Sequence, residues 1–439
     1  MATKESIGGR CCWPLTSRGH AFYDRLQQIL RQFRFDAFVE KLCQSYYADK
    51  GHPSIPPGRY FRMHFVGYFE GIDSERGIEW RCADSLSLRG GAARISPGPF
   101  LTEPHAFPAA ATHSRRSLCP SSQDVGQGGF GPGGIGVDAS TMEANAALRT
   151  IVRRDTGESY RQMLLRMAKG SGIVAPTVDD LVRLDRQRKD KSLSNKDWRS
   201  PVDPEAKVAK MKDGRTWPTS RQHAVDLDSG AVIAAEIHEA DQGDTTTLGK
   251  TLKVAEDNLK QVSKTPPCTD DPVDLVADEG YFSRDVLKEL DGSPWRSWIA
   301  EPKRQGLNVW NGDHEARRAV YNNRIRLGSL VGKCPGRQRT EVVERSFEHT
   351  LDRCGGMRRV WLRGRVNVQK RYLIHVAGFN LGLLMRAKIG CGTPRGWAEA
   401  WFVVIWTEQI PTTVYLGLML CLENQSCIIL PLACIHSLN

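Results

Sequence analysis

The chain has 439 residues, 40% of them apolar, with 61 Lys and Arg against 50 Asp and Glu, a formal charge of +11. That length exceeds one ordinary domain and supports a core without disulfides, and the 12 cysteines include no Cys-x-x-Cys pair, which argues against a disulfide scaffold or zinc ribbon. The N-terminus lacks the apolar core of a signal peptide and the longest late apolar run, Val414 to Leu422, is too short to span a bilayer, so a soluble, intracellular protein is expected.

Residues 19–84 are predicted to be helical. Phe22, Leu26, Ile29, Leu30 and Phe33 recur at helical spacing, Asp36 offers an N-cap for DAFVEKLCQSYY, and PPGRYFRMHFVGYFEGI opens on proline. Arg59, Arg62, Arg76 and Arg81 give these helices two readings, DNA docking or a packing module. Residues 90–134 are rich in Gly, Pro, Ala and Ser and show no period, which predicts an irregular linker.

From Ile135 the pattern turns to α/β. GIGVDAS is a short strand, 142–190 reads as helical, and the charged stretch up to Thr216 reads as an exposed excursion. HAVDLDSGAVIAAEI is a strand, an Asp-Ser-Gly turn and a strand. TTTLGKTLKVAEDNLKQV is a helix whose threonines can cap its start. PVDLVADEG is a buried strand released by Gly280, SRDVLKEL a helix and RSWIAEP a strand. The expected class is α/β (α+β): a helical N-terminal domain at 1–89, the linker, and at 135–390 an RNase H-like mixed sheet flanked by helices, with 142–220 as a helical, charged insertion. Residues 391–439 form an apolar C-terminal extension. In such a sheet the ends of neighbouring strands set Asp138 beside Asp278.

Three separated acids, Asp138, Asp278 and one in the helical segment EVVERSFEHT, are a set that suits hard divalent cations, which prefer oxygen ligands. Taken singly, each aspartate reads as well as a strand-end cap. In the helix Glu344 has Glu341 and Glu348 as neighbours, and spacing alone does not choose among them. Val343, Phe347 and Leu351 form the stripe that docks this helix on the sheet. From Lys303 to Arg371 there are 17 Lys and Arg against 6 Asp and Glu, an excess of +11 that equals that of the whole chain. An arginine-dominated run around an acid favours phosphate contact, so metal-dependent phosphoryl transfer on nucleic acid is the reading.

The stretches PSIPPGRYFRMHFVGYFEGIDSERGIEWRCADSLSLR, VDASTMEANAALRTIVRRDTGESY, AKMKDGRT, HAVDLDSGAVIAAEIHEADQGDTTTL, LVADEGYFS and VVERSFEHTLDRCGGMRRVWLRG, with IHVAGFNLGLLMR, resemble those of bacterial insertion-sequence transposases of the DDE type with an InsH-like N-terminal domain. The resemblance covers residues 19–89 and 135–396. It implies a catalytic, metal-holding triad of Asp138, Asp278 and Glu344, the last chosen by the pattern Glu344-Arg345-Ser346-Phe347. It implies two Mg²⁺ or Mn²⁺ ions, phosphate grip by Arg345, Arg358, Arg359 and Arg363, and cleavage of transposon ends followed by strand transfer. It also implies terminal inverted repeats and target DNA as partners, a homodimer in the active complex, and a cytoplasmic, nucleoid-associated location without a membrane. Three departures accompany it. Residues 90–134 resemble no part of the family, as a reading-frame slip would produce; Pro218 stands where the family has a strand; and Arg337 and Thr340 stand where some relatives have Tyr and Arg. The alternative is therefore a degenerate, catalytically inactive DNA-binding protein derived from a transposase.

Overall fold

The computed structural model describes residues 20–47, 55–85, 88, 134–189, 194–211, 214–216, 218–263, 266–303, 310, 312–329, 333–354 and 356–398. The linker 90–133 and the tail from 399 lie outside the described residues. The N-terminal part is α1 (Ala21–Gln32), α2 (Phe35–Cys43), α3 (Pro57–Glu70) and α4 (Glu75–Asp84). α1 buries Phe22, Leu26, Ile29 and Leu30, as the spacing predicts. Pro57 holds the first helical position of α3, where a missing amide costs nothing, and Gly71 closes it at φ 69°. Asp36 does not cap α2. Arg34, at φ 50°, takes the capping position, and Asp36 instead receives both Nε and Nη2 of Arg62 at 2.9 and 2.8 Å. Arg62 is 8% exposed, and Arg81 is paired to Glu70. Two of the four arginines considered for DNA are thus paired with carboxylates, Arg62 inside the fold and Arg81 at its surface.

The insertion begins later than expected. β1 (Ile135–Glu143) runs well past Asp138, pairing with a later strand from Ile135↔Asp226 to Glu143↔Pro218. Residues 142–159 hold no α-helix, only a single 3-10 turn at Leu148–Thr150: the apolar alternation of Ile135 and Val137 continues into Ala139, and the ladder with its partner carries the strand on. Beyond it come β2 (Val152–Arg153), α5 (Tyr160–Gly170), α6 (Val178–Gln187), β3 (Trp198–Arg199), β4 (Ala209–Met211) and β5 (Gly214–Thr216). Capping boxes start both helices, Ser159 with Gln162 and Thr177 with Asp180. Trp198, Ala206 and Val208 join Ile151, Met163, Leu164 and Leu181 in a separate small core. The charged excursion is therefore partly folded inward.

The main sheet adds β6 (Pro218–Asp226), β7 (Val232–Glu239), β8 (Val273–Ala277) and β9 (Trp295–Ile299), in the order β7-β6-β1-β8-β9. β7, β6 and β1 are antiparallel, while β1, β8 and β9 are parallel. This is the RNase H-like arrangement. Pro218 opens β6 instead of breaking it, since the first residue of a strand tolerates a missing donor. The β6–β7 turn is held by Asp226 Oδ2, which accepts from the Ser229 amide at 3.1 Å, and by Gly230 at φ 74°.

The remaining helices are α7 (Asp244–Val262), α8 (Arg284–Leu290), α9 (His314–Gly328), α10 (Lys333–Glu348) and α11 (Arg365–Ile389), with a π turn at His349–Arg353 after α10. α7 starts from Gly243 without a side-chain cap, so its threonines lie inside the first turn. On one face of the sheet Leu248, Leu252, Ala255 and Leu259 of α7 pack on Ile135, Val137 and Ala224. On the other, Val343 and Phe347 of α10 and residues of α11 share one core with Val225, Val232 and the N-terminal helices. α3 meets α11 at Gly378, where a Cβ would sit 2.6 Å from the Tyr68 ring. Both sheet edges end on buried amides. Asn380 of α11 exchanges two hydrogen bonds with the Val232 backbone, each 2.9 Å, and Gln369 binds Ile237 N and Ala235 O, each 2.7 Å. At the opposite edge Asn323 of α9 does the same for Ile299, at 3.0 and 2.8 Å.

Candidate active site

The parallel register of β1 and β8 is Ile135↔Leu275 and Gly136↔Val276. Two residues on, where the pairing stops, Asp138 comes alongside Asp278. Side chains alternate between faces. A Cβ at Gly136 would lie 2.9 Å from Val343 Cγ2 and 3.0 Å from Arg339 Cγ, and Val276 packs with Val342. Position 138, and by extension 278, therefore belongs to the face covered by α10, the helix that carries Glu344.

The two aspartates are held differently. Asp138 Oδ1 accepts from the Ala139 amide at 2.8 Å, and Oδ2 accepts from Arg339 Nη1 at 2.7 Å. Asp278 Oδ1 accepts from the Gly280 amide at 2.9 Å. A Cβ at Gly280 would lie 3.1 Å from Asp278 Oδ1 and 3.4 Å from Asp244 Oδ2, so this glycine leaves two carboxylates facing one space. Burial pushes the Asp138 carboxyl above the usual range; Arg339 and the Ala139 amide oppose that, and the charge of Asp278 adds to it. Asp244, at the start of α7, is raised by burial and then by Asp278 and Asp138. Tyr281, fully buried, lies in the field of the same three acids, its phenol raised chiefly by burial, and accepts a hydrogen bond from Gln222 Nε2 at 2.7 Å.

Asp244 and Arg339 are the residues that sequence reasoning missed. The stretch QGDTTTL gives Asp244 the look of a helix-start acid, and nothing local points it at Asp278. Glu344 is exposed on α10, one position after the fully buried Val343. Its neighbour Glu341 pairs with Arg345 at 2.6 Å. The structure thus gathers Asp138, Asp278 and Asp244 in one field and sets Glu344 on the helix above. Among the described residues no group of three or more His, Cys, Asp and Glu forms a set ready to hold a metal ion. The donor chemistry nevertheless fits a hard divalent cation: the acids are carboxylates whose mutual repulsion a cation would relieve, and Asp138 has one oxygen committed to Arg339.

Of the arginines expected at phosphate, Arg358 is paired with Asp352 at 2.7 Å through Nη2, Arg359 lies 3.9 Å from Glu143, and Arg363 is exposed. Surface pairs of this kind are worth little in water, so a phosphate can replace the carboxylate partner. Part of the basic excess is spent inside: Arg371 is 8% exposed beside His64, and Arg324 binds Glu301 through both Nε and Nη2. No helix among the described residues is long and apolar enough to cross a membrane.

No curated protein and no solved structure matches this sequence. Two families do. A transposase domain (DUF772) matches residues 14–93, spanning α1 to α4, and the transposase DDE domain matches residues 182–379. The second match holds Asp244, Asp278, Arg339 and Glu344 and begins after Asp138. With helices in front, an RNase H-like sheet behind and a family match on each, the chain belongs to the DDE transposases of insertion sequences.

Proposed function

We propose that the protein is a DNA transposase that cleaves transposon ends and joins them to target DNA in a metal-dependent reaction, with Asp138, Asp278 and Glu344 as its catalytic acids. The observation that carries this is the placement of Asp138 and Asp278 abreast on parallel strands, on the face that α10 covers. When bound, two Mg²⁺ or Mn²⁺ ions would activate the attacking water or 3′-hydroxyl and stabilise the leaving oxygen. The chain's own part is to supply hard oxygens from rigid elements. The Ala139 and Gly280 amides fix one oxygen of each aspartate, which lowers the cost of orienting the carboxylates for a cation. Arg345, Arg358, Arg359 and Arg363, on α10 and the segment after it, would hold phosphates beside the acids. Assembly as a homodimer on paired ends, with α1 to α4 as one folded module and 135–390 as the catalytic one, belongs to the same reading.

The test is nicking and strand transfer on a duplex bearing the element's inverted repeats, with Mg²⁺ or Mn²⁺. Cleavage that disappears in Asp138→Asn, Asp278→Asn and Glu344→Gln, yet persists in Glu341→Gln and Glu348→Gln, is expected. Equal loss in the Glu341 variant would move the third acid. A second reading, a DNA-binding protein without cleavage, is favoured by the Arg339–Asp138 pair. DNA binding without nicking under any divalent ion would establish it.

A further inference from the structure

Arg339 holds an unusual position. Its Nη1 lies 2.7 Å from Asp138 Oδ2 and 3.4 Å from the Val137 carbonyl, across 201 residues of sequence. The pair is largely shielded, with side chains 11% and 21% exposed. Its stem crosses β1 over Gly136, where any Cβ would press on Arg339 Cγ at 3.0 Å. A glycine inside a strand weakens it and calls for a reason; here the reason is the close approach of Leu227, Val343 and Arg339, at 2.7, 2.9 and 3.0 Å from where a Cβ would sit. The guanidinium is the ion-pair partner of Asp138, whose carboxylate also feels the charge of Asp278, and Asp244 in turn feels both aspartates. A guanidinium has no lone pair and does not deprotonate, so it cannot join a coordination shell. The same carboxylate oxygen cannot serve both it and a divalent ion beside it without strong repulsion between the cations.

We propose that Arg339 is a built-in stand-in for the divalent cation: it occupies Asp138 in the metal-free protein and must be displaced before the site loads. This deepens the transposase reading and rests on it. The Ala139 amide anchors Asp138 Oδ1 independently, so release of Arg339 frees Oδ2 in place without turning the carboxylate. The exchange puts a double charge where a single one stood, which suits a site with excess negative charge. It also leaves a guanidinium free at the edge of the site, matched in geometry to a phosphate. Arg339 is therefore a gate on metal loading.

The experiment is titration of Mn²⁺ into the full chain without DNA at low ionic strength, with free Mn²⁺ read by electron paramagnetic resonance. Arg339→Ala is expected to bind about ten- to a hundredfold tighter than the parent, the ratio equivalent to one charge-assisted hydrogen bond no longer in competition. Arg339→Lys keeps the stem and charge but loses the fork, so it should fall between the two; it also carries the test if the alanine variant melts early. Binding by the parent that is lost in Asp278→Asn, yet is equal or weaker in both Arg339 variants, overturns the gate and leaves the metal site standing. Absence of Mn²⁺ binding in the parent and in every variant overturns the metal site and the gate together. Binding by Arg339→Ala alone supports the gate most strongly.

Discussion

Asp138 and His223 face each other across β1 and β6 as a register pair, and their surroundings are opposites. His223 is fully buried; its Nδ1 meets Ser346 Oγ at 2.8 Å, its Nε2 meets Tyr372 OH at 2.5 Å, and its ring stacks on Phe347 at 4.2 Å. Burial, and then the charge of Arg221, holds its pKa far down, so the ring is neutral. Every polar atom of that imidazole has a partner. One strand away, Asp138, Asp244 and Asp278 lie in one another's field, and Arg339 pairs with the first of them. A satisfied polar network fixes how α10 and α11 sit on the sheet. An unbalanced one stores unfavourable free energy that a bound cation or a proton relieves, as functional sites do.

Four measurements bear on that contrast, the largest effect first. Asp278→Asn should reduce metal-dependent nicking by more than about a hundredfold, the upper end of what even partners behind the ligands cost, while the melting temperature stays level or rises. A fall in both together would make the carboxylates structural and erase the distinction. Tyr372→Phe should do the reverse. It leaves Nε2 of a buried histidine unpaired and costs about 1–3 kcal/mol of stability in urea unfolding, with Mn²⁺ binding unchanged.

The third is a pH dependence. His64, His223 and His375 are fully buried with pKa values well below 6.5, all through burial first and then the charge of Arg371 or Arg221. The unfolded chain protonates these histidines near pH 6.5 and the folded chain does not. Their contribution to stability is therefore complete above about pH 7 and falls as the pH drops, by at most about 1.4 kcal/mol per unit for each histidine. His223→Gln should flatten that slope by one such share, read from urea midpoints between about pH 7 and 5. A slope unchanged in that variant would mean His223 is charged in the fold. The smallest effect is on DNA. Arg358→Ala with Arg359→Ala should lower the log–log salt slope of duplex binding by roughly two, at about 0.9 per phosphate contact. A parental slope would leave both arginines to their carboxylate partners Asp352 and Glu143.

Much of this fold was legible from local pattern. The β6–β7 hairpin was announced by Asp-Ser-Gly between alternating runs, and α10 with the π turn after it by Val343, Phe347 and Leu351, which are all buried. Where the reading failed, the cause lay at a distance. β1 continues to Glu143 because β6 pairs with it, more than seventy residues on, and a short polar sequence such as STME shows no such partner. Asp36 looked like a cap and became the counter-ion of Arg62. In the site, two aspartates could be placed because each follows a short apolar run, Ile135 to Val137 before Asp138 and Leu275 to Ala277 before Asp278. Asp244 and Arg339 could not, since their roles exist only after α7 and α10 have docked.

The buried amides at the two sheet edges limit how copies of this protein can meet. Asn380 and Gln369 occupy backbone groups of β7, and Asn323 those of β9, so at these positions no foreign strand finds a donor or acceptor to recruit. Wherever copies of a sheet protein are concentrated, an open edge invites pairing sheet to sheet. Along these stretches of the main sheet that route is closed from within.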